Sequence, residues 1–245
     1  MSAARVAVVT GASSGIGAAC VGALTAAGFS VVAGARREDR LREVCERHGA
    51  RGMRLDVTDQ QSVDTFVAAL DSCAVLVNNA GGALGMAPVE AADDEQWRTM
   101  FETNVLGTVR MTRALIPLLE KEDPGHIVDV VSTAGLETYP NGAGYTAAKH
   151  GEHAVTRTLR MELLGRPIRV TEIDPGLVET EFSIVRLGDE EKARRVYAGM
   201  TPLTAEDVAD AIAWTVTRPK RVNIDQLVMR PLDQASSTLV HRRTS

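Results

Sequence analysis

The chain has 245 residues, 44% hydrophobic but only 4% aromatic, with a formal charge of −5. This fits one large α/β domain over 1–245 whose core is built mainly from Val, Ala, Leu and Ile and needs no disulfide or metal staples. Acids and bases are mixed without a basic stripe, which argues against a nucleic-acid partner, and no apolar run approaches membrane-spanning length.

Short β-branched runs alternate with longer helical patterns. Residues 5–10 read as a strand and 15–27 as a helix closed by Gly28; 30–35 is a second strand, and 38–48 a charged helix closed by Gly49. A strand over 52–55, a helix over 60–70 and a strand over 74–78 follow. Helical segments over 94–120 and 145–164 flank a fifth strand at 126–131. The remaining elements are a strand at 168–173, a helix at 205–217 and a short strand at 227–229. Near-continuous apolar strands are expected when helices cover both faces of a parallel sheet. The pattern predicts a single doubly wound, Rossmann-type parallel sheet of about seven strands, binding ligands beyond the carboxyl ends of its strands.

The run Thr10-Gly11-Ala12-Ser13-Ser14-Gly15-Ile16-Gly17 joins the first strand to the first helix. Glycines there allow a tight turn and close backbone approach, and the helix N-terminus offers free N–H groups to a pyrophosphate. At the end of the second strand, where an NAD site usually carries an acid, stands Ala35, followed by Arg36 and Arg37. Two guanidiniums in place of the acid suit a 2′-phosphate, so the expected cofactor is NADP(H). Asp56, followed by Val57, either accepts from an adenine amino group or caps the next helical region. Asn79-Ala80-Gly81 ends the fourth strand with small residues beside the cofactor, and Asn79 reads as positional.

Ser132 follows the fifth strand, and Tyr145 and Lys149 open the next helix four residues apart, one turn apart on one face. A tyrosine ordinarily keeps its proton to about pH 10. An ammonium at ~4 Å, in an effective dielectric near 20, favours the phenolate by roughly 4 kcal/mol. Ser132 would hold and polarise the reacting oxygen. A Tyr/Lys pair at this spacing is also a common solvated helix face; the rest of the chain tips the balance.

Other residues read more plainly. Cys20, Cys45 and Cys73 lack metal or redox spacing and read as reduced core residues of a cytoplasmic protein. The five histidines form no metal set, and His150 is expected to be inert. Asp129, inside an apolar strand, needs a partner and is expected to bond neighbouring backbone. The irregular stretch from Pro175 to about Asp189 is a candidate lid, within a lid region of about 175–200. The polar tail after Pro231, to 245, is either disordered or docked on a neighbouring subunit.

Together, Thr10–Gly17, Asp56, 78–81, Asn104, Ser132, Tyr145/Lys149 and Pro175-Gly176 resemble the short-chain dehydrogenase/reductase family, over almost the whole chain. The resemblance implies that Tyr145 exchanges a proton with the substrate and that Lys149 holds the nicotinamide ribose and favours the phenolate. It implies that Ser132 binds the substrate oxygen and that Asn104 holds a water linking Lys149 to solvent. It also places Pro175, Gly176, Val178 and Thr180 beside the nicotinamide, and implies a homotetramer, with a dimer as the alternative.

A narrower resemblance links 79–86, 175–186, 203–208, 222–225 and Arg230-Pro231 to bacterial NADP-dependent 3-hydroxy acid dehydrogenases, which act on serine and allo-threonine. Such a substrate needs a cation for its carboxylate, and Arg186 in the lid could grip it bidentately; a solvated loop arginine is the other reading. The chain departs from that group at Leu136-Glu137-Thr138, around His150-Gly151-Glu152, and in a shorter lid. A reductase of another small carbonyl compound and a catalytically silent nucleotide-binding scaffold are the competing readings; the complete Asn104, Ser132, Tyr145 and Lys149 set argues against the second.

Overall fold

The computed structural model describes residues 4–243. Seven parallel strands form one sheet in the order β3-β2-β1-β4-β5-β6-β7. They are β1 (Val6–Thr10), β2 (Ser30–Ala35), β3 (Arg51–Arg54), β4 (Val75–Asn78), β5 (Gly125–Val130), β6 (Ile168–Pro175) and β7 (Gln226–Met229).

Successive side chains of a strand point to opposite faces, and the sheet is buried on both. Val8 pairs in register with Val32 and Leu76, Leu76 with Ile127, and Ile127 with Val170. That row packs under α3 (Gln60–Ala68), α5 (Gly107–Leu119) and α6 (Ala143–Glu162), through Phe66, Met111, Leu115 and Leu159. The opposite face, with Val9, Ala33, Val77 and Val128, packs under α1 (Gly15–Ala26), α2 (Glu38–His48) and α9 (Ala205–Val216). The doubly wound sheet expected from the alternation is therefore present.

Three expectations need correction. The segment 94–120 is not one continuous α-helix: α4 (Asp94–Phe101) and α5 are joined by a π turn over Glu102–Leu106. The Pro175–Asp189 stretch is not irregular throughout, because it contains α7 (Phe182–Leu187) and leads into α8 (Glu190–Tyr197). Gly188, at φ 62°, ends α7, and the Asp189 carboxylate caps α8 by accepting from Glu191 N and Lys192 N. Finally, buried Asp129 bonds side chains rather than backbone: it accepts from Asn78 Nδ2 (2.8 Å) and Thr156 Oγ1 (2.8 Å).

Candidate active site

The strand order reverses between β1 and β4, and the crevice opens there, beyond their carboxyl ends. Thr10 sews the two strands together. Its hydroxyl oxygen accepts from Asn79 N (3.0 Å) and Ala80 N (2.9 Å), and Asn79 Nδ2 donates to Thr10 O (2.9 Å). Asn79 is thus positional, as expected. Gly17 packs against this seam: a Cβ on it would stand 2.5 Å from both Asn79 Nδ2 and Gly11 O. The missing side chain lets α1 press against the loop.

Gly11, Ser13, Ser14, Gly15 and Ile16 line the resulting cleft of about 730 Å³. Ser14 flanks α1 without a side-chain cap, and the first turn of α1 carries no acid. Its N–H groups are left for an anion, which the helix dipole also favours. Arg37 donates from Nε to Ser13 Oγ (3.2 Å) and from Nη2 to Ser14 Oγ, so a guanidinium and two hydroxyls converge at this end of the cleft. Arg36 lines the same cleft. Arg40, one turn along α2, and Glu181, at the start of the lid, went unassigned in the sequence. Glu181 accepts from Arg37 Nη1 (3.0 Å) and from Arg40 Nη1 (2.6 and 2.7 Å). The Arg37 and Arg40 partners hold the Glu181 carboxyl below its ordinary range despite some burial. Asp56 and Val57 also line the cleft. Asp56 Oδ1 accepts from Thr58 N and Oγ1 (3.0 and 2.7 Å), and the cap of α3 is Asp59 instead. A cradle that only glycine permits, an uncapped helix N-terminus and arginines beside two serines together fit a phosphorylated dinucleotide.

At the far end of the cleft stand Ser132, Tyr145 and Lys149. Ser132 follows β5: its N–H donates to Asp174 Oδ1 (3.3 Å), while its Oγ accepts from Ala134 N (3.1 Å) and lies 3.4 Å from Pro175 O. Lys149 Nζ donates to Val130 O (3.0 Å) and to Glu152 Oε2 (2.6 Å). Burial opposes its charge, but Glu152, then Tyr145 and Asp174, outweigh that and hold its pKa above the ordinary lysine value. Asn104 does not reach the cleft. It is fully buried in the π turn, donating to Gly82 O (2.9 Å) and Met100 O (2.7 Å) and accepting from Gly82 N (3.1 Å). Gly81 lies between Asn104 and Lys149: a Cβ on it would be 2.5 Å from Asn104 Oδ1 and 3.6 Å from Lys149 Nζ. His150 Nδ1 turns back to Thr146 O (2.8 Å) on its own helix.

The lid brings Arg186 over this end. Its guanidinium carbon lies 5.3 Å from the Tyr145 ring centroid and 5.5 Å from that of Tyr139. Nε donates to Gly85 O (3.2 Å) and Nη1 to Tyr139 Oη (2.9 Å), leaving Nη2 without a protein hydrogen bond among the described residues. Phe182 packs on the Tyr145 ring at 5.5 Å. Val178 and Thr180 line the cleft, as do Pro175 and Gly176.

The described part of the tail, to Arg243, is ordered against the chain's own lid; Thr244 and Ser245 lie outside the described residues. Gln234 Oε1 accepts from Leu177 N (2.8 Å), and Arg243 N donates to Gly199 O (2.8 Å). Glu137, which would repel an anionic substrate if it faced the site, instead accepts from Arg230 Nη2 (2.6 Å) and Ser237 N (2.7 Å). It ties the segment after Ser132 to the tail.

The family model for short chain dehydrogenases matches residues 5–191. An uncharacterized oxidoreductase of Mycobacterium tuberculosis is 57% identical over 96% of this chain and 94% of its own length. The NADP-dependent 3-hydroxy acid dehydrogenase YdfG of Escherichia coli K12 is 41% identical over 96% and 99%. Among solved structures, the closed form of a serine dehydrogenase complexed with NADP+ superposes with a TM-score of 0.92 at 40% identity, covering 98% of this chain and 100% of that one.

Proposed function

The chain belongs to the short-chain dehydrogenase/reductase family and is an NADP-dependent oxidoreductase acting on CH–OH groups; we propose that its substrate is a small 3-hydroxy acid of the serine or allo-threonine type. The observation that carries this reading is the Arg186 guanidinium beside Tyr145, with Nη2 uncommitted. A 3-hydroxy acid places its hydroxyl and carboxylate two carbons apart, and the site offers a proton acceptor and a cation side by side. The 41% identity to YdfG supports the same class.

When bound, NADP+ supplies the hydride acceptor. The chain's own residues do the rest. Ser13, Ser14, Arg36 and Arg37 hold the phosphate end, and Gly11 and Gly15 let the backbone approach. Ser132 Oγ donates to the substrate oxygen, and Tyr145 Oη takes the hydroxyl proton as the carbonyl forms. The Lys149 ammonium favours the phenolate and donates to the ribose. Asn104 shapes the Gly81–Gly82 turn against Lys149. Arg186 pairs with the carboxylate, and the lid and tail exclude water.

The corresponding proposals for assembly and location are a homotetramer in the cytoplasm, with all 245 residues acting as one domain. Exposed Phe101, Met161, Trp214 and Val228 offer apolar surface for the first, and three free, buried cysteines suit a reducing compartment. Light scattering tests the assembly.

The test of function follows NADPH formation by absorbance, with NADP+ or NAD+ and a panel of L-serine, D-serine, L-allo-threonine, 3-hydroxyisobutyrate, 3-hydroxypropionate and a plain secondary alcohol. NADP+-dependent turnover of the hydroxy acids, with little of the alcohol, is the expected result. Turnover of the uncharged alcohol alone would assign the site to another carbonyl compound.

A further inference from the structure

Tyr145, Lys149 and Glu152 stand at i, i+4 and i+7, on one face of α6. The first two are accounted for; the third is a carboxylate only 1% exposed. Its Oε2 accepts from Lys149 Nζ at 2.6 Å, and its Oε1 lies 3.1 Å from Thr108 Oγ1 of α5. That hydroxyl also reaches Asn104 O (3.0 Å) in the π turn. Glu152 thus joins Lys149 to the element that carries Asn104. Among the described residues, the other titratable groups facing the pair are acids: Asp129 on β5, and Glu172 and Asp174 on β6. His153, the next residue on α6, turns to Glu172 Oε1 instead (2.6 Å).

Resting on the reading of Tyr145 and Lys149 given above, we infer that Glu152 is a positioning residue: it orients the Lys149 ammonium and moderates its field, setting the pH range over which the proton step runs. An ammonium has three N–H donors. Val130 O and Glu152 fix two of them, so the third is directed by default into the cleft that Lys149 lines. A buried lysine without a counter-charge tends to lose its proton; Glu152 prevents this. The same carboxylate opposes a phenolate on Tyr145, seven residues or roughly 10 Å along the helix. Burial pushes the Glu152 carboxyl up to about 7 against the pull of Lys149.

The experiment measures kcat and kcat/KM of NADP+-dependent oxidation from pH 5.5 to 10.5 for the wild type, Glu152→Gln, Glu152→Asp and Tyr145→Phe, using the best substrate of the panel. For Glu152→Gln the rising limb moves to lower pH by about one unit, the effect of one charge at that distance in an effective dielectric near 20. A decline at high pH, absent from the wild type, appears as Lys149 loses its proton. Glu152→Asp retains the charge on a shorter stem, moves the limb in the same direction by less, and carries the test should the Gln variant not fold. NADP+ dissociation constants, from quenching of tryptophan fluorescence, weaken above the pH of the new decline and match the wild type below it. Limbs and binding unchanged in a folded variant overturn the role of Glu152. Activity retained by Tyr145→Phe overturns the reading on which it rests.

Discussion

The Arg186 guanidinium lies 5.3 Å from the centre of the Tyr145 ring, spanning from the lid to the helix that carries Lys149. One side chain therefore couples the position of the lid to the place where a hydroxyl would be oxidised. Hydrogen bonds to charged groups contribute about 1.5–3 kcal/mol. Arg186→Ala should raise KM for a hydroxy acid by roughly 10- to 150-fold and leave the NADP+ dissociation constant unchanged. Steady-state kinetics with both substrates varied checks this; an unchanged KM removes Arg186 from the substrate site.

At the other end of the cleft, Arg37 spans Ser13, Ser14 and Glu181. Arg37→Ala should weaken NADP+ binding by about 10- to 100-fold through lost charge-assisted contacts, with NAD+ affinity unchanged. Glu181→Gln should act in the opposite direction, because it frees both arginines. The groups are 43–49% exposed, so the gain is only about 0.2–1 kcal/mol, or up to roughly fivefold. Fluorescence titration with both dinucleotides distinguishes the two variants.

Gln234 satisfies the Leu177 N–H where the tail crosses the lid. Gln234→Ala leaves that donor without its partner, a loss of about 1–3 kcal/mol when buried. The expected outcome is a lower urea midpoint and faster proteolysis within the lid. If both match the wild type, the tail does not hold the lid.

Two buried groups make opposing contributions to the pH dependence of stability. Burial, then Arg169 and Arg5, hold His126 well below the usual histidine range. An unfolded histidine titrates near 6.5, so below that pH the unfolded chain binds a proton that the folded chain refuses, and stability falls with pH. Glu172 works in the other direction: burial, then Asp174, push it up to about 9. Its stabilising contribution is complete below about 4.3, the unfolded value, and is lost as pH rises through about 9. Relative to the wild type, the urea midpoint of His126→Gln should fall less on acidification below about 6.5, and that of Glu172→Gln should fall less as pH rises from 5 to 9, whatever their absolute stabilities.

The sheet was legible because Val, Ala and Ile runs alternate with helical periods, and the crevice because Gly11 to Gly17 stand between a strand and a helix. The π turn at Glu102–Leu106 was not, since neither Pro nor Gly interrupts the apolar pattern before Gly107. The lid helices have six and eight residues, too few for a period to declare itself. Arg40 and Glu181 are 141 residues apart, and only the fold makes them neighbours. Glu152 and Glu137 stood out in the sequence as departures. Their partners, Lys149 and Arg230, explain why the chain tolerates carboxylates there.

The seam between Thr10 and Asn79 joins residues 69 apart. Closing a loop of that length costs roughly 4 kcal/mol of chain entropy, and nothing local offsets it until β4 has docked on β1. The loop from Gly11 to Gly17 can form early, but it acquires a floor only when the centre of the sheet is complete. Recovery of dinucleotide binding during refolding should accordingly lag behind helix formation. The cofactor then reports the closing stage of folding rather than seeding it.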